Sequence, residues 1–539
     1  MSTSSPRPGR FLLLTVFLAG IGTLGVEMIA SRLLAPFFGT SQPIWAVIIG
    51  MTLVYLAIGY RIGGRLADRT PDARALYRLI VIAGVATAFI PPLSRPILGF
   101  SQGALAGLDV GGFLGALVGV ILLFAVPVTL LAMVGPFAAR LQLAAGAADL
   151  ADAGARVGAV SSVSTVGSIL GTFLTVLVLI PAIGTAATTY LFALLLVATG
   201  LIGLRDWRYL LAPLLVVALA GFGELTGGAV KAVGCEGCRL VAEAESSQNY
   251  IQVAERETPA YGRQMALMLN EGLAIHSFYN ERYATSNDPL DLTTGGGPWD
   301  FFAVAPYFVA DRTPASVTRL AMLGSAAGTV PAQFLAYYGP NTTVDAVEID
   351  PGIIAVGRQY FAMDDAAVST RHPNYRVHAD DARYWLATHG GSYDVIGMDA
   401  YHQPYIPFHL TTVEFFQTVA AHLTPQGVAV VNAGLGPDGD DRLSQALATT
   451  MRRVFPHVYV IETPRGGNQI LIGTMADGDG LAAFSANYAN MREPSLRAVM
   501  ETVVAGEFDV AKSRYGPFTD DRAPVEQLID DLIFKTVTK

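Results

Sequence analysis

Cysteine is nearly absent: 539 residues hold two, Cys235 and Cys238, in the run GCEGC. Two thiols three residues apart exclude a disulfide framework, and a lone CxxC lacks the second pair that a structural zinc site needs, so no metal is expected. The pair is either a small disulfide or two free thiols, according to the redox state of the compartment. Charge is scarce as well. Only 15% of residues are charged and 52% are hydrophobic, with a mean hydropathy of +0.44. That balance excludes an ordinary soluble enzyme along the whole chain and points to membrane spans. Before Val230 there is no Lys and no His, and thirteen Arg stand against eight Asp and Glu. Imidazole chemistry is thereby confined to the remainder, which holds all eight His with 22 basic and 36 acidic residues. An acidic balance there argues against nucleic acid as a partner. It suits a small cationic substrate drawn in by long-range attraction, and equally a plain solvated surface.

What is abundant before Val230 is apolar sequence. Phe11–Ala30, Ile44–Tyr60, Leu79–Leu98, Phe113–Val134, Val163–Ile183 and Thr188–Leu204 are each long enough, or nearly so, to cross about 30 Å of hydrocarbon. A seventh run, Leu210–Phe222, is short and gives way to Gly223-Glu224. Arg61, Arg65, Arg69, Arg74 and Arg78 follow the second span, Arg140 and Arg156 the fourth, and Arg205 and Arg208 the sixth. By the positive-inside rule these ends are cytoplasmic, and so is the N-terminus. Residues 1–230 are therefore expected to form a multi-pass helical domain in the cell membrane, with the lipid bilayer as partner. The opening MSTSSPRPGR does not favour a cleaved signal peptide. Six spans leave the acidic remainder in the cytoplasm; a full seventh puts it outside.

Two features of this half invite function. Glu27 lies inside the first span, five residues before Arg32. Intramembrane acids usually face a protein interior or a cavity, so a binding or transport role stands against pairing with an arginine or a structural hydrogen bond. Gly63 to Arg69, GGRLADR, resembles the G-x-x-x-D-R loop of major facilitator transporters. Six spans do not easily alternate access alone, which ranks anchoring or regulation above transport.

After Val230 the pattern changes. Residues 231–310 are expected to hold a small β extension and a linker, with short strands in Leu240–Val253 and Met265–Leu269, and a helix over Trp299–Val309. Residues 311–539 then alternate. Strands are expected at 319–323, 343–349, 375–379, 393–399 and 427–432. Helices fall at 329–338, 352–361, 381–388, 411–423 and 440–454. Elements taking turns at this spacing give a mostly parallel sheet covered on both faces. His457–Glu462 and Gln469–Gly473, joined by ThrProArgGlyGlyAsn, add an antiparallel hairpin. The expected fold class is a multi-pass α-helical membrane domain joined to an α/β Rossmann-like domain of the adenosylmethionine-transferase type, with the β extension at its N-terminal side.

In such sheets a ligand lies beyond the carboxyl ends of the strands. The loop Gly324–Gly328 (GSAAG) would let a nucleoside approach the backbone, although small residues there also permit tight helix–strand packing. Glu348 and Asp350 end the second strand, where a carboxylate can accept ribose hydroxyls. Asp380-Asp381 follow the third, able to accept from an adenine amino group or to cap a helix. Asp399 and His402 follow the fourth and are plausible general acid/base partners.

Gln248 in SSQNYIQV, LNEG at 269–272, VEID at 347–350, HADDA at 378–382 and VIGMDAY at 395–401 together resemble spermidine synthases. SRLLAPFFGTSQPIW at 31–45, IPFHLTT at 406–412 and FTDDRAPVE at 518–526 resemble the membrane-fused group of that family, the polyamine aminopropyltransferases. The resemblance implies aminopropyl transfer to an amine from decarboxylated S-adenosylmethionine, a co-substrate and not a permanent cofactor. It assigns Gln248, Glu348 and Asp380 to the nucleoside, to which the reading of the strand ends adds Gly324, Gly328 and Asp381, and it sets Asp399 on the transferred aminopropyl group or the acceptor amine; with Asp399, His402 is the expected catalytic partner, since neutral imidazole can act as base. It implies a small cationic amine as substrate and leaves a homodimer open. The chain departs from the pattern twice. The family loop GGGDGG has its acid where Ala327 stands, and the second acid of the family's D-S-x-D falls on His402. These departures keep two rivals in view: a methyltransferase of the same fold using S-adenosylmethionine, and a non-catalytic nucleoside- or polyamine-binding domain serving the membrane half.

Overall fold

The computed structural model describes residues 9–38, 42–105, 111–145, 153–225, 233–235, 237–246, 248–259, 261–270, 274–363, 374–401, 405–436, 439–465, 467–508, 515–529 and 532. The chain divides into two compact units, Met1–Ala232 and Val233–Lys539.

Among its described residues the first unit is helical. Its elements are α1 (Gly9–Phe38), α2 (Gln42–Arg69), α3 (Ala73–Ala88), α4 (Ile90–Leu105), α5 (Gly111–Ala132), α6 (Val134–Ala145), α7 (Ala153–Leu174), α8 (Ile180–Leu204) and α9 (Leu211–Leu225). Among the described residues four runs are long and apolar enough to cross a membrane: Gly9–Phe38, Ile44–Arg69, Phe113–Ala144 and Ala153–Leu204. The last holds 52 residues, about 78 Å if straight, which is enough for two crossings of a hydrocarbon layer of about 30 Å. It breaks where a turn demands it: Gly184 sits at φ 79°, ψ 167°. The span expected over Leu79–Leu98 is a bent pair, Ala73–Ala88 and Ile90–Ser101, at 51°. Pro91 and Pro92 lack the N–H groups that would carry a straight helix through the bend. α9, with 15 residues, remains short.

Glycine sets how closely these helices pack. A Cβ on Gly20 would lie 2.4 Å from the Ser164 carbonyl oxygen, and one on Gly171 2.4 Å from that of Ile21. α1 and α7 therefore meet backbone to backbone, as small residues allow in apolar bundles. GGRLADR is the helical end of α2, not a loop, and its Asp68 pairs with Arg140 of α6 at 3.1 Å.

The second unit opens with a four-stranded antiparallel sheet in simple order: β1 (Arg239–Glu245), β2 (Tyr250–Thr258), β3 (Gly262–Leu269) and β4 (Ile275–Asn280). The stretch expected as one strand, Leu240–Val253, is a hairpin broken at 246–249. Cys235 and Cys238 form a disulfide just before β1. Trp299–Val309 is two 3-10 turns, Pro298–Phe302 and Ala305–Phe308, and not an α-helix. Its residues are buried throughout, with no polar face to set a helical period, and Pro298 and Pro306 start each turn.

An eight-stranded sheet follows, built from β5 (Arg319–Leu323), β6 (Thr343–Glu348), β7 (Tyr375–Ala379), β8 (Tyr393–Met398), β9 (Leu423–Gly434), β10 (His457–Glu462), β11 (Asn468–Thr474) and β12 (Val504–Glu507). The order is β12-β10-β11-β9-β8-β5-β6-β7. β5 to β9 run parallel, whereas β11, β10 and β12 pair antiparallel. The edge strand β12 has no counterpart in the sequence reading. Alternation along β5 sends Leu320 and Met322 into one apolar layer and Ala321 and Leu323 into the other, as the period of two in a doubly covered sheet requires. Strand order reverses between β5 and β8, which opens a crevice at their carboxyl ends.

Candidate active site

The crevice is built by backbone contact before any side chain enters. Asp399 N–H donates to the Leu323 carbonyl at 2.9 Å, which draws the end of β8 against the end of β5. Gly324, the next residue after β5, has φ +80°, and a Cβ there would sit 2.5 Å from Ala400 Cα. Only glycine lets the two chain segments touch at that angle. Gly328, at φ +93°, caps the helix Thr329–Tyr338.

The five loop N–H groups between them have internal partners. Gly324 and Ser325 donate to the Val347 carbonyl (2.9 and 3.0 Å) and Gly328 to that of Ser325 (2.9 Å). Ala326 N–H donates to Glu348 Oε2 (2.9 Å) and Ala327 N–H to Ser277 Oγ (3.0 Å). A phosphate cradle works by aiming such groups at the anion; here they are committed elsewhere. The loop suits a nucleoside without phosphate. Ser325 Oγ is buried and has no hydrogen-bond partner among the described residues, so it is a polar atom of the loop open to a ligand. No motif signalled it.

Glu348 ends β6 with its carboxylate under this loop, accepting also from Asp350 N–H at 3.1 Å. Burial pushes its pKa up to about 7 against the pull of those backbone donors. Asp350, offered by the sequence as a second ribose acceptor, is corrected by the structure. It is wholly buried and accepts from Ser246 Oγ (2.5 Å), Asn249 Nδ2 (2.8 Å) and Gly352 N–H (2.8 Å). It clasps the β1–β2 turn to the end of β6. The half-buried Gln248 rides on that turn, its N–H held by Ser246 Oγ at 3.1 Å.

At the end of β7 the two acids divide. Asp381 caps the helix Ala382–Thr388 through Arg383 N–H (3.0 Å) and Tyr384 N–H (2.9 Å), and its other oxygen meets His409 Nε2 at 3.0 Å. The His409 contact holds its carboxyl below the ordinary range, opposed by burial. Asp381 thus has a structural role, with the cap on one oxygen and His409 on the other. Asp380 stays half-buried beside the crevice, its N–H on the Glu348 carbonyl at 3.2 Å and one carboxylate oxygen accepting from Asp381 N–H at 2.8 Å.

Asp399 is the best-supported acid of the crevice. Asn432 Nδ2, at the end of β9, donates to its Oδ1 at 2.9 Å. Asn468 Nδ2 donates in turn to Asn432 Oδ1 at 2.9 Å, which fixes the Asn432 amide with its NH2 toward Asp399. Burial raises the Asp399 pKa to about 6, countered by hydrogen bonds from Asn432 and the Trp299 side chain. Tyr401 O–H donates to the Asn432 carbonyl (3.1 Å) and accepts from Gly434 N–H (2.9 Å), fastening the segment after Asp399. His402 lies outside the described residues. Asn432, Asn468 and Trp299 were not legible as site residues; the position of Asn432 at a strand's carboxyl end was the one available signal.

A parallel sheet with a reversed penultimate strand, and an acid at the end of each of β6, β7 and β8, defines a Rossmann-like α/β fold of the methyltransferase type. Within it, residues 319–479 match the model of the spermine/spermidine synthase domain. A probable polyamine aminopropyl transferase of Bifidobacterium longum (strain NCC 2705) is 30% identical over 314 residues, spanning 54% of this chain and 64% of that protein. A polyamine aminopropyltransferase of Vibrio vulnificus (strain CMCP6) is 31% identical over 161 residues, or 29% of this chain and 50% of that protein. The chain thus spans less than two thirds of these relatives. A crystal structure of a probable spermidine synthase from Corynebacterium glutamicum ATCC 13032 aligns with a TM-score of 0.38 at 22% identity, covering 52% of this chain and 98% of that one.

Proposed function

We propose that the chain is a membrane-anchored aminopropyltransferase-like enzyme that moves an aminopropyl group from decarboxylated S-adenosylmethionine to an amine. The observation that carries this is Asp399, a carboxylate held at the crevice by Asn432 and raised to about 6, beside a loop with no N–H left for phosphate. The match of residues 319–479 to the spermine/spermidine synthase domain, and relatives named polyamine aminopropyltransferases, support the reading.

The chemistry asks for a neutral amine whose lone pair attacks the carbon beside the sulfonium. A C–N bond forms, the C–S bond breaks with both electrons going to sulfur, and one proton must leave the nitrogen. Asp399 is mostly ionised at neutral pH yet more basic than an ordinary aspartate, so it can orient the ammonium form and take the proton. Glu348, Asp380 and Ser325 would hold the nucleoside, and Gln248 would close on it from the β extension. The helical unit, with its long apolar helices, anchors the enzyme in the bilayer.

The test is product identity. Purified full-length chain with decarboxylated S-adenosylmethionine and 1,4-diaminobutane is expected to release methylthioadenosine, and Asp399→Asn to slow release by about 10²–10⁴-fold. Release of S-adenosylhomocysteine from S-adenosylmethionine instead would assign methyl transfer, and binding of neither nucleoside would remove both enzyme readings.

A further inference from the structure

The stretches IPFHLTT (406–412) and FTDDRAPVE (518–526) are far apart in sequence and meet in space. The second lies beyond residues 319–479, which match the synthase domain. Phe518, Val525, Leu528 and Ile529 enter the apolar layer that holds Tyr405, Ile406 and Leu410. Backbone donors fix the approach: Val413 N–H donates to the Phe518 carbonyl (2.9 Å), and Phe518 N–H to Thr450 Oγ1 (3.0 Å). Thr519 and Arg522 then exchange N–H···O bonds of 3.0 Å, a tight turn that carries Asp520 at its bend. Asp520 N–H is held in turn by Glu414 Oε2 at 3.0 Å.

The Asp520 carboxylate takes both ends of the Arg383 guanidinium, Nη1 at 2.7 Å and Nη2 at 2.6 Å, a two-point pairing that fixes direction as well as distance. These bonds hold the carboxyl below the ordinary aspartate range, so the pair is charged at neutral pH. Thr412 Oγ1 donates to the same carboxylate (2.7 Å) and accepts from Phe415 N–H (3.3 Å), so Asp520 orients the hydroxyl that caps the helix Val413–Ala421. Arg383 Nη1 also donates to the His409 carbonyl at 3.0 Å. His409 Nε2 meets Asp381 Oδ2 at 3.0 Å, and Asp381 N–H donates to Asp380 Oδ1 at 2.8 Å. Every link from Asp520 to Asp380 is thus a direct contact. As an ion pair alone this would count for little, because the Arg383 and Asp520 side chains are 26% and 43% exposed. Its weight is geometric: one planar guanidinium serves the carboxylate and the loop carbonyl together, which a lysine ammonium on its flexible stem does not reproduce.

We infer that Asp520 is a positioning residue for the nucleoside: residues 515–529 strap the 405–412 loop to the end of β7 and so set the Asp380 carboxylate. The inference rests on the reading of Asp380 as a nucleoside ligand in the proposed transferase. Calorimetric binding of methylthioadenosine and of S-adenosylhomocysteine to the full chain, with donor kinetics alongside, tests it. Asp520→Asn keeps the shape and removes the charge. It is expected to weaken nucleoside binding about tenfold and to raise KM for decarboxylated S-adenosylmethionine by as much, with kcat within about twofold. Arg383→Lys keeps the charge and loses the fork; it should reproduce the effect, and gives a second reading should Asp520→Asn not assemble. His409→Ala cuts the chain of contacts between Arg383 and Asp381, so adding Asp520→Asn to it should weaken binding by less than about twofold more, whereas a prop that only stabilised the fold would multiply the losses. Unchanged nucleoside affinity in Asp520→Asn and Arg383→Lys overturns the inference. So do losses that multiply in the double variant, or a fall in kcat with KM unmoved. A wild-type chain that shows this coupling in binding yet transfers no aminopropyl group leaves the strap standing and removes the aminopropyl reading. Binding of neither nucleoside by the wild type overturns both.

Discussion

Replacing Asn432 by leucine should move the pH dependence of the proposed transfer in a direction that the crevice fixes in advance. The Asn432 amide donates to Asp399 Oδ1 at 2.9 Å and is oriented by Asn468 at 2.9 Å. A hydrogen bond to an ionised group stabilises it by about 1.5–3 kcal/mol, and one pKa unit corresponds to about 1.4 kcal/mol. Removing the donor disfavours the carboxylate, so the Asp399 pKa rises from about 6 by about one to two units. In the proposed reaction Asp399 acts as base when ionised. Activity is present above the pKa and lost below it, so the acid limb of kcat against pH moves upward, toward about 7–8. At pH 6.5 the variant should lose most of its rate; at pH 9 it should approach wild type. Asn468 is only half-buried, so its freed amide can reach water, and Asn468→Ala should shift the limb by less than Asn432→Leu. Full pH–rate profiles with saturating donor are the assay. A limb that stays in place or moves down, or a loss equal at every pH, would refute Asp399 as the titrating base.

Three further outcomes follow from the geometry. Asp350→Ala removes the carboxylate that Asn249 Nδ2 and Gly352 N–H donate to and the nearer acceptor of Ser246 Oγ; it should cost about 3 kcal/mol and loosen the link between β1–β2 and the end of β6, and an unchanged melt and proteolytic digest would contradict the clasp. Gly324→Ala places a Cβ 2.5 Å from Ala400 Cα at positive φ, whereas Gly339→Ala, also at φ +83°, meets nothing within 4 Å; the first should destabilise by more than about 2 kcal/mol and the second by about 1, and equal costs would mean the close approach is not real. Glu348 has a folded pKa of about 7 against an ordinary 4.5. Its contribution is therefore fully present below pH 4.5 and lost as pH rises through 7, a swing of about 3 kcal/mol. The melting advantage of Glu348→Gln over wild type should grow across that window and then level off; a flat difference would show that Glu348 is not buried as described.

The parallel sheet was legible because each strand and helix carries its own period, and the helices Pro351–Tyr360 and Ala382–Thr388 even announce their caps, Asp350 and Asp381. The same local signal explains why Asp350 misled: a capping aspartate and a ligand aspartate look alike until the partner is seen. The bend after Phe89 could be read from Pro91-Pro92, but the 3-10 turns at 298–308 could not, since a run buried on every side carries no period. Asn432 and Trp299 escaped because they reach Asp399 from 33 and 100 residues away in sequence, and no local pattern encodes such a meeting. Ala327 shows the limit from the other side. Against the family's loop it reads as a lost acid. In the structure it is 2% exposed and packed with Ile251, Leu267 and Ile353, where a carboxylate would be charged and unpaired. The alanine is therefore matched to an apolar wall contributed by the β extension. Under the proposed reaction, attraction for an amine in this crevice falls to Asp399, whose burial holds it nearer neutrality than an ordinary aspartate.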